Sequence, residues 1–284
     1  MDVLTVTHNS GFFSCCCIRF LSIIDYYNKN KKLPDLVDSS KQFERYKTDK
    51  NVDYTPLFYK TLDTQISYDY DIIAVREKRE LQFSNYNLIN FDRIMPIFRK
   101  YFALSDEIQN LVDSLKNNYN IDYDNTCAVL YRGNDKNRET KMGSYHTYIE
   151  KAKEIQNKNP GIKFLVQTDE TEFLNDFLKN FPNSVFFKEM PTIRRSAESV
   201  HRILPVNERK NAAMNYLSAI VNVARCKHLI THTGNCSLFA VLFRGNKNNV
   251  HQFFTESICG YDPTNYSYLQ NDVKGDVSIQ NTWI

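Results

Sequence analysis

The sequence predicts an α/β protein with a parallel, doubly wound sheet in its second half, and three observations carry that prediction. From residue 127 onward, short apolar runs alternate with helix-length amphipathic stretches. The first thirty residues read as strand, turn and helix. Polar segments follow the apolar runs, where a sheet of this kind presents its ligand site.

In chain order, Val3 to Thr7 alternates like a short strand, His8-Asn9-Ser10-Gly11 is turn chemistry, and Cys15 to Tyr27 is an apolar-rich helical stretch. A second strand is expected at Leu36 to Asp38, after Pro34. A third is expected at Asp71 to Arg76, where Ile72, Ile73, Ala74 and Val75 form the unbroken apolar run of a strand buried on both faces. Phe91 to Phe102 is amphipathic and interrupted by Pro96, and Ser105 caps a helix over Asp106 to Tyr119 whose acidic first turn suits the helix dipole. The boundary between two domains is expected here, dividing residues 1–105 from residues 106–284.

The second part keeps a regular beat: strand Cys127 to Arg132, helix Tyr145 to Asn157, strand Lys163 to Thr168, helix Thr171 to Phe181 and strand Ser184 to Glu189. A polar loop with Arg194, Arg195, His201 and Arg202 follows. A long helix from about Asn207 to Cys226, strand His228 to Thr233 and helix Cys236 to Arg244 resume the rhythm. The tail beyond Phe254 has poor periodicity and is expected to wrap back onto the first domain. No internal repeat is found.

Composition bounds the function. The chain has 284 residues, 42% hydrophobic and 24% charged, with 8 Gly and 8 Pro, which is enough for a substantial core and too ordered for a linker. A net charge of +3, from 36 basic and 33 acidic residues, is too even for a surface that tracks nucleic acid, so any anion site must be local. The 7 cysteines include no Cys-x-x-Cys pair, which speaks against zinc or redox chemistry and for a reducing compartment. No signal peptide and no apolar span of membrane length is evident, so a soluble, cytoplasmic protein is expected.

The chemistry concentrates after the strands. Arg132, in Val129-Leu130-Tyr131-Arg132-Gly133-Asn134-Asp135-Lys136, can hold a diphosphate through the planar fork of its guanidinium and stabilise charge building on a leaving phosphate. The competing role is a structural ion pair with an acid such as Asp135. Thr231 to Ser237 lies between strand and helix, so the N–H groups and hydroxyls around Thr233, Gly234, Asn235 and Ser237 could face an anion at that helix terminus, or simply cap the helix. Asp169 could accept hydrogen bonds from a ribose or base, or cap the next helix. His228 and His232 share one face of a strand, but no third ligand stands at metal spacing. Gly-x-Gly-x-x-Gly, Gly-x-x-x-x-Gly-Lys and Gly-x-Ser-x-Gly are all absent, which removes the dehydrogenase, P-loop and hydrolase readings.

Three blocks, in order, resemble the fucosyltransferase superfamily, especially α-1,6-fucosyltransferases and nodulation-factor fucosyltransferases. Val129 to Lys136 looks like that family's His-x-Arg-Arg-x-Asp-Lys strand and loop, Phe164 to Glu170 like its Thr-Asp-Asp strand end, and Cys226 to Gly245 like its late Ser/Thr-rich strand and helix. The resemblance spans about residues 90 to 250. It implies a GT-B-like fold, two Rossmann-like domains with parallel sheets facing a central cleft. Residues 1–105 would take a glycan acceptor and residues 106–284 a nucleotide-sugar donor.

It further implies an inverting transfer without metal or other cofactor, with fucose from GDP-fucose as the sugar. Arg132, with Lys136, would bind the donor phosphates, Asp169 the nucleoside, and Thr233, Gly234, Asn235 and Ser237 the diphosphate. Glu139 is the candidate base, with Asp135 beside it and His8, Asn9 and Ser10 facing the cleft from the acceptor side. Two departures stand out: Leu130 replaces the family's leading His, and Gly133 its second Arg. They leave open another donor, such as UDP-xylose or a deoxyhexose nucleotide, and a non-catalytic nucleotide- or glycan-binding module. A nucleotide-sugar epimerase would use the same architecture without an acceptor.

Overall fold

The computed structural model describes residues 1–74, 81–138, 140, 142–196, 198–255 and 282–284. The chain opens as β1 (Val3–Thr5), α1 (Phe12–Asn30) and β2 (Leu36–Asp38), with β1 and β2 pairing in parallel. α1 starts three residues before the expected stretch, with Gly11 as its extended N-cap. The first half's parallel sheet is thus a pair of three-residue strands. α2 (Thr55–Phe58) leads into β3 (Tyr59–Lys60), and α3 (Phe91–Tyr101) is followed by β4 (Ala103–Leu104), which pairs antiparallel with β3.

The third expected strand does not form over its described part. Ile72 is buried while Ile73 is 54% exposed, so the run is not covered on both faces. The Asn28 carboxamide takes both backbone groups of Ile72, accepting from its N–H at 2.7 Å and donating to its C=O at 3.0 Å. Val75 and Arg76 lie outside the described residues. α3, in contrast, runs straight through Pro96, because Ile94, Met95, Ile97, Phe98 and Tyr101 bury one face and outweigh the missing N–H.

α4 (Asp106–Asn118) begins at Ser105, whose Oγ accepts the Ile108 N–H at 3.2 Å as the cap predicts. Then come β5 (Thr126–Tyr131), α5 (Tyr145–Lys158), β6 (Lys163–Thr168), α6 (Thr171–Asn180) and β7 (Val185–Phe186). The short α7 (Val200–Ile203) precedes α8 (Val206–Arg225), β8 (His228–His232), α9 (Asn235–Arg244) and β9 (Val250–Phe254). β10 (Thr282–Trp283) joins antiparallel to β9, which places the described end of the tail on the sheet's edge.

The sheet order is β10-β9-β8-β5-β6-β7, with five parallel strands. All six residues of β5 are buried. Cys127, Val129 and Tyr131 pack towards α5 and α6 in a cluster with Tyr148 and Phe173, whereas Ala128 and Leu130 join the core that holds α8 and α9. β5 leads through α5 to β6 on one side, and α8 returns the chain to β8 on the other. Ligands of open α/β sheets bind at such a reversal, beyond the carboxyl ends of the strands.

The larger core extends from α1 and α3 through α4 and α8 to α9. Phe239 of α9 meets Phe13 of α1 at 5.3 Å, Phe98 of α3 at 5.8 Å and Phe102 at 5.6 Å between ring centroids.

Candidate functional site

A cavity of about 460 Å³ opens at the carboxyl ends of β5, β6 and β8 and is closed on the other side by the β1–α1 turn. Its volume is that of a small-molecule site. Arg45, Arg132, Lys136 and Arg202 border it against the carboxylates of Asp135 and Asp169, so an anionic ligand is favoured.

Arg132 leaves β5 directly into this cavity, with its side chain 24% exposed. It donates through Nη2 to Asp135 Oδ1 at 2.8 Å and through Nη1 to the Tyr216 hydroxyl at 3.1 Å. Its Nε stands 3.1 Å from Asp169 Oδ2, a charge pair without hydrogen-bond alignment, so Nε–H finds no aligned acceptor among the described residues. Burial opposes the charge on Arg132, but Tyr216, Asp169 and Asp135 outweigh it and hold the group well above its usual range. The ion pair with Asp135 weighed against the functional role is therefore real, and both roles share one guanidinium.

Asp169 is buried; burial raises its carboxyl above the usual range and Arg132 pulls the other way. Its Oδ1 accepts the Gly133 N–H at 3.1 Å, and its C=O accepts from Asn134 Nδ2 at 2.7 Å. The side chain thus fixes the loop after β5 as well as bordering the cavity, and it does not cap α6, whose N-cap is Glu170.

Glu170 explains Gly133. It is fully buried, its Oε2 accepts the Asn134 N–H at 3.3 Å, and a Cβ on Gly133 would lie 1.6 Å from that oxygen. A side chain at 133 would therefore force the Glu170 carboxylate to move. Burial raises the Glu170 carboxyl, with Arg195 Nε 3.9 Å from Oε1 acting against it.

The β8–α9 turn forms another part of the cavity wall. Gly234 has φ of 152° and lies under Lys136, whose Cε would be 2.7 Å from a Cβ there. The Tyr86 hydroxyl donates to the Gly234 C=O and accepts from its N–H, both at 3.0 Å, and so ties this turn to the first half of the chain. Asn235 opens α9 at the cavity, and its Oδ1 has no partner among the described residues. Cys236 follows; its thiol accepts from the Tyr216 hydroxyl at 2.8 Å, and burial lifts it to about 11, so it stays protonated. Burial, then Lys136 and Arg132, depress His232 to about 3, making it a neutral imidazole between Leu130 C=O and Ser237 Oγ.

Several expected contacts are corrected. Thr233 does not border the cavity: its hydroxyl accepts from Gln252 Nε2 and the Thr255 N–H, both at 3.1 Å. Ser237 is likewise turned inward, to His232 Nδ1 at 3.3 Å. Asn9 is spent on the chain itself, donating to Lys41 C=O and accepting from the Glu44 N–H. His8 and Ser10 do border the cavity; His8 Nε2 is 3.0 Å from Ser14 Oγ, and burial and Arg45 lower its pKa. Glu139 lies outside the described residues. His228 bonds to His251 at 3.3 Å, away from His232.

Sequence reasoning missed Tyr216, and placed Gln167 and Glu170 only within the polar segment at a strand end, without a role of their own. Tyr216 lies mid-helix in α8, 84 positions from the arginine it serves, with no local signal. For Gln167 and Glu170, their place at the carboxyl end of β6 was the available clue.

An α/β fold with a cavity lined by Arg45, Arg132, Arg202 and Lys136 at the reversal of a parallel sheet has its opening where open α/β sheets bind their ligands. Neither a family model nor a curated protein matches the sequence. Solved structures do match. NodZ α-1,6-fucosyltransferase co-crystallised with GDP aligns with a TM-score of 0.57 at 16% identity, over 89% of this chain and 94% of that one. NodZ α-1,6-fucosyltransferase soaked with GDP-fucose gives 0.55 at 13% identity, over 89% and 94%. Fucosyltransferase NodZ from Bradyrhizobium gives 0.55 at 16% identity, over 89% and 96%. The chain therefore has the GT-B-like fold of these fucosyltransferases, as the three sequence blocks implied. Among the described residues no helix is long and apolar enough to cross a membrane.

Proposed function

We propose that the chain is an inverting, metal-independent glycosyltransferase that moves a sugar, fucose from GDP-fucose, onto a glycan hydroxyl. The observation that carries this reading is Arg132 at the sheet reversal, held by Tyr216, Asp135 and Asp169 with its Nε–H free of an aligned acceptor, in a fold whose solved examples include a complex with GDP and a crystal soaked with GDP-fucose. Arg132, Lys136 and the first turn of α9 would bind the diphosphate. Residues 1–105 would supply the acceptor side and residues 106–284 the donor side.

In the reaction, the acceptor oxygen bonds to the anomeric carbon from the face opposite the diphosphate, the anomeric C–O bond breaks, and its electron pair leaves on the β-phosphate beside Arg132. The hydroxyl proton passes to a base, for which the described wall offers Asp135, beside the guanidinium, and the neutral His8 across the cavity. Gly133, where the resembling family has a second arginine, removes one positive charge and keeps a UDP-xylose or deoxyhexose donor open in the same mechanism. Buried free thiols at Cys15, Cys16, Cys17, Cys127, Cys226 and Cys236 support a reducing, cytoplasmic setting.

The test is nucleotide release from GDP-fucose with a glycan acceptor. Arg132→Ala should lower turnover at least about a hundredfold, the scale of losing one charge-stabilising donor. It should also lower Tm, because Asp169 loses its cation, whereas Arg132→Lys should recover most of the Tm and little of the turnover. A fully active Arg132→Ala protein sinks the reading. EDTA should leave turnover unchanged; loss on chelation with recovery in manganese would overturn the metal-free step.

A further inference from the structure

Gln167 borders the same cavity from the penultimate position of β6, only 4% exposed, and its Oε1 has no hydrogen-bond partner among the described residues. A buried carbonyl without a donor lowers stability unless something else supplies the N–H, so folded chains keep few of them.

Its placement is set by strand register. Gln167 pairs with Leu130, and the two residues further on are Asp169 and Arg132, so Gln167 lies on the same sheet face as the arginine. It is deeper by two residues, roughly 6–7 Å along the strand. The lining extends from Arg132 and Asn235 to His8 and Ser10 on the first half and to Gln167, Met190 and Pro191 on the β6 side. With the transferred sugar facing the acceptor side, the nucleoside is assigned to the β6 side. Met190 and Pro191 offer apolar surface there, suited to the face of a base.

We infer that Gln167 is the base-reading residue of this site, its carboxamide pairing with a nucleobase edge that carries an N–H beside a C=O, the lactam edge of guanine or uracil. The inference rests on the diphosphate reading of the cavity. An amide offers an acceptor and a donor side by side, so it meets such an edge with two parallel hydrogen bonds. A site built around a polar partner discriminates strongly against ligands that leave it unpaired.

The experiment compares GDP with inorganic pyrophosphate, which has the charge and lacks the base, on wild-type protein and on Gln167→Leu. Titration calorimetry should show GDP binding weakened at least about tenfold, pyrophosphate binding changed by less than about twofold, and Tm retained. Gln167→Met, unbranched and as long as the native side chain, gives the same comparison if the leucine variant folds poorly. Unchanged GDP affinity overturns the inference and assigns the carbonyl to a water in the space of about 10 Å³ that also borders Gln167. Equal weakening of both ligands overturns it as well, since the substitution would then disturb the site as a whole. A wild-type protein that binds neither ligand would remove the diphosphate reading first, and this inference with it.

Discussion

The two halves of the molecule are built on different principles. Residues 126–254 form a parallel sheet whose strands alternate with helices in sequence, and most of its order is carried by backbone ladders between neighbouring elements. The first hundred residues have strands of two or three residues and are organised by aromatic packing, with Phe12, Phe43, Tyr46 and Phe58 meeting edge-on or tilted around α1. The sheet half fixes where Arg132 and Asn235 stand, just after β5 and at the start of α9. The aromatic half acts as a wall, positioned against the sheet half by Phe13, Phe98 and Phe239.

Breaking that wall should produce the largest effect. Phe239→Ala removes a fully buried ring shared by α1, α3 and α9, and should cost about 3–5 kcal/mol. If the halves fold as one unit through this contact, urea unfolding followed by near- and far-ultraviolet circular dichroism stays a single coincident transition at a lower midpoint. Two separated transitions would show instead that the sheet half stands alone.

The next effect lies within the sheet half. Gly133→Ala should destabilise by about 1–3 kcal/mol through overpacking against Glu170, and Glu170→Ala in the same chain should recover much of it. Additive losses in a double-mutant cycle would contradict the steric account.

The last effect appears only as pH falls. His232 titrates near 3 when folded and near 6.5 when unfolded, so the unfolded chain binds the proton first. Its contribution is intact above pH 6.5 and is lost as pH falls towards 3, by at most about 1.4 kcal/mol per pH unit. His251, depressed to about 4, acts in the same direction. His232→Gln should flatten the fall in urea midpoint between pH 6.5 and 4; an unchanged slope would mean that His232 is not the buried neutral group described.

The same contrast governs how much could be read from sequence. Alternating β and α segments are local patterns, so β5 to α9 and the residues after each strand were legible, Arg132, Lys136 and Asn235 among them. The apolar run at Ile72 to Val75 misled because hydrophobicity does not state whether two faces will be covered; Ile73 faces solvent. Thr233 and Ser237 stood in the right turn, yet which hydroxyl faces the cavity depended on Gln252, Thr255 and His232. Tyr216 was out of reach because its role exists only after α8 packs across the sheet.

The glycine at 133 also constrains how this site can change over time. With Glu170 Oε2 in the space a Cβ would need, any larger residue at 133 is disfavoured until position 170 has mutated. An evolving lineage, or a laboratory selection aimed at adding an arginine here, therefore gains from a change at 170 made first or together with it. Screening position 133 alone would undercount the residues the site can take, because the restriction is shared with position 170.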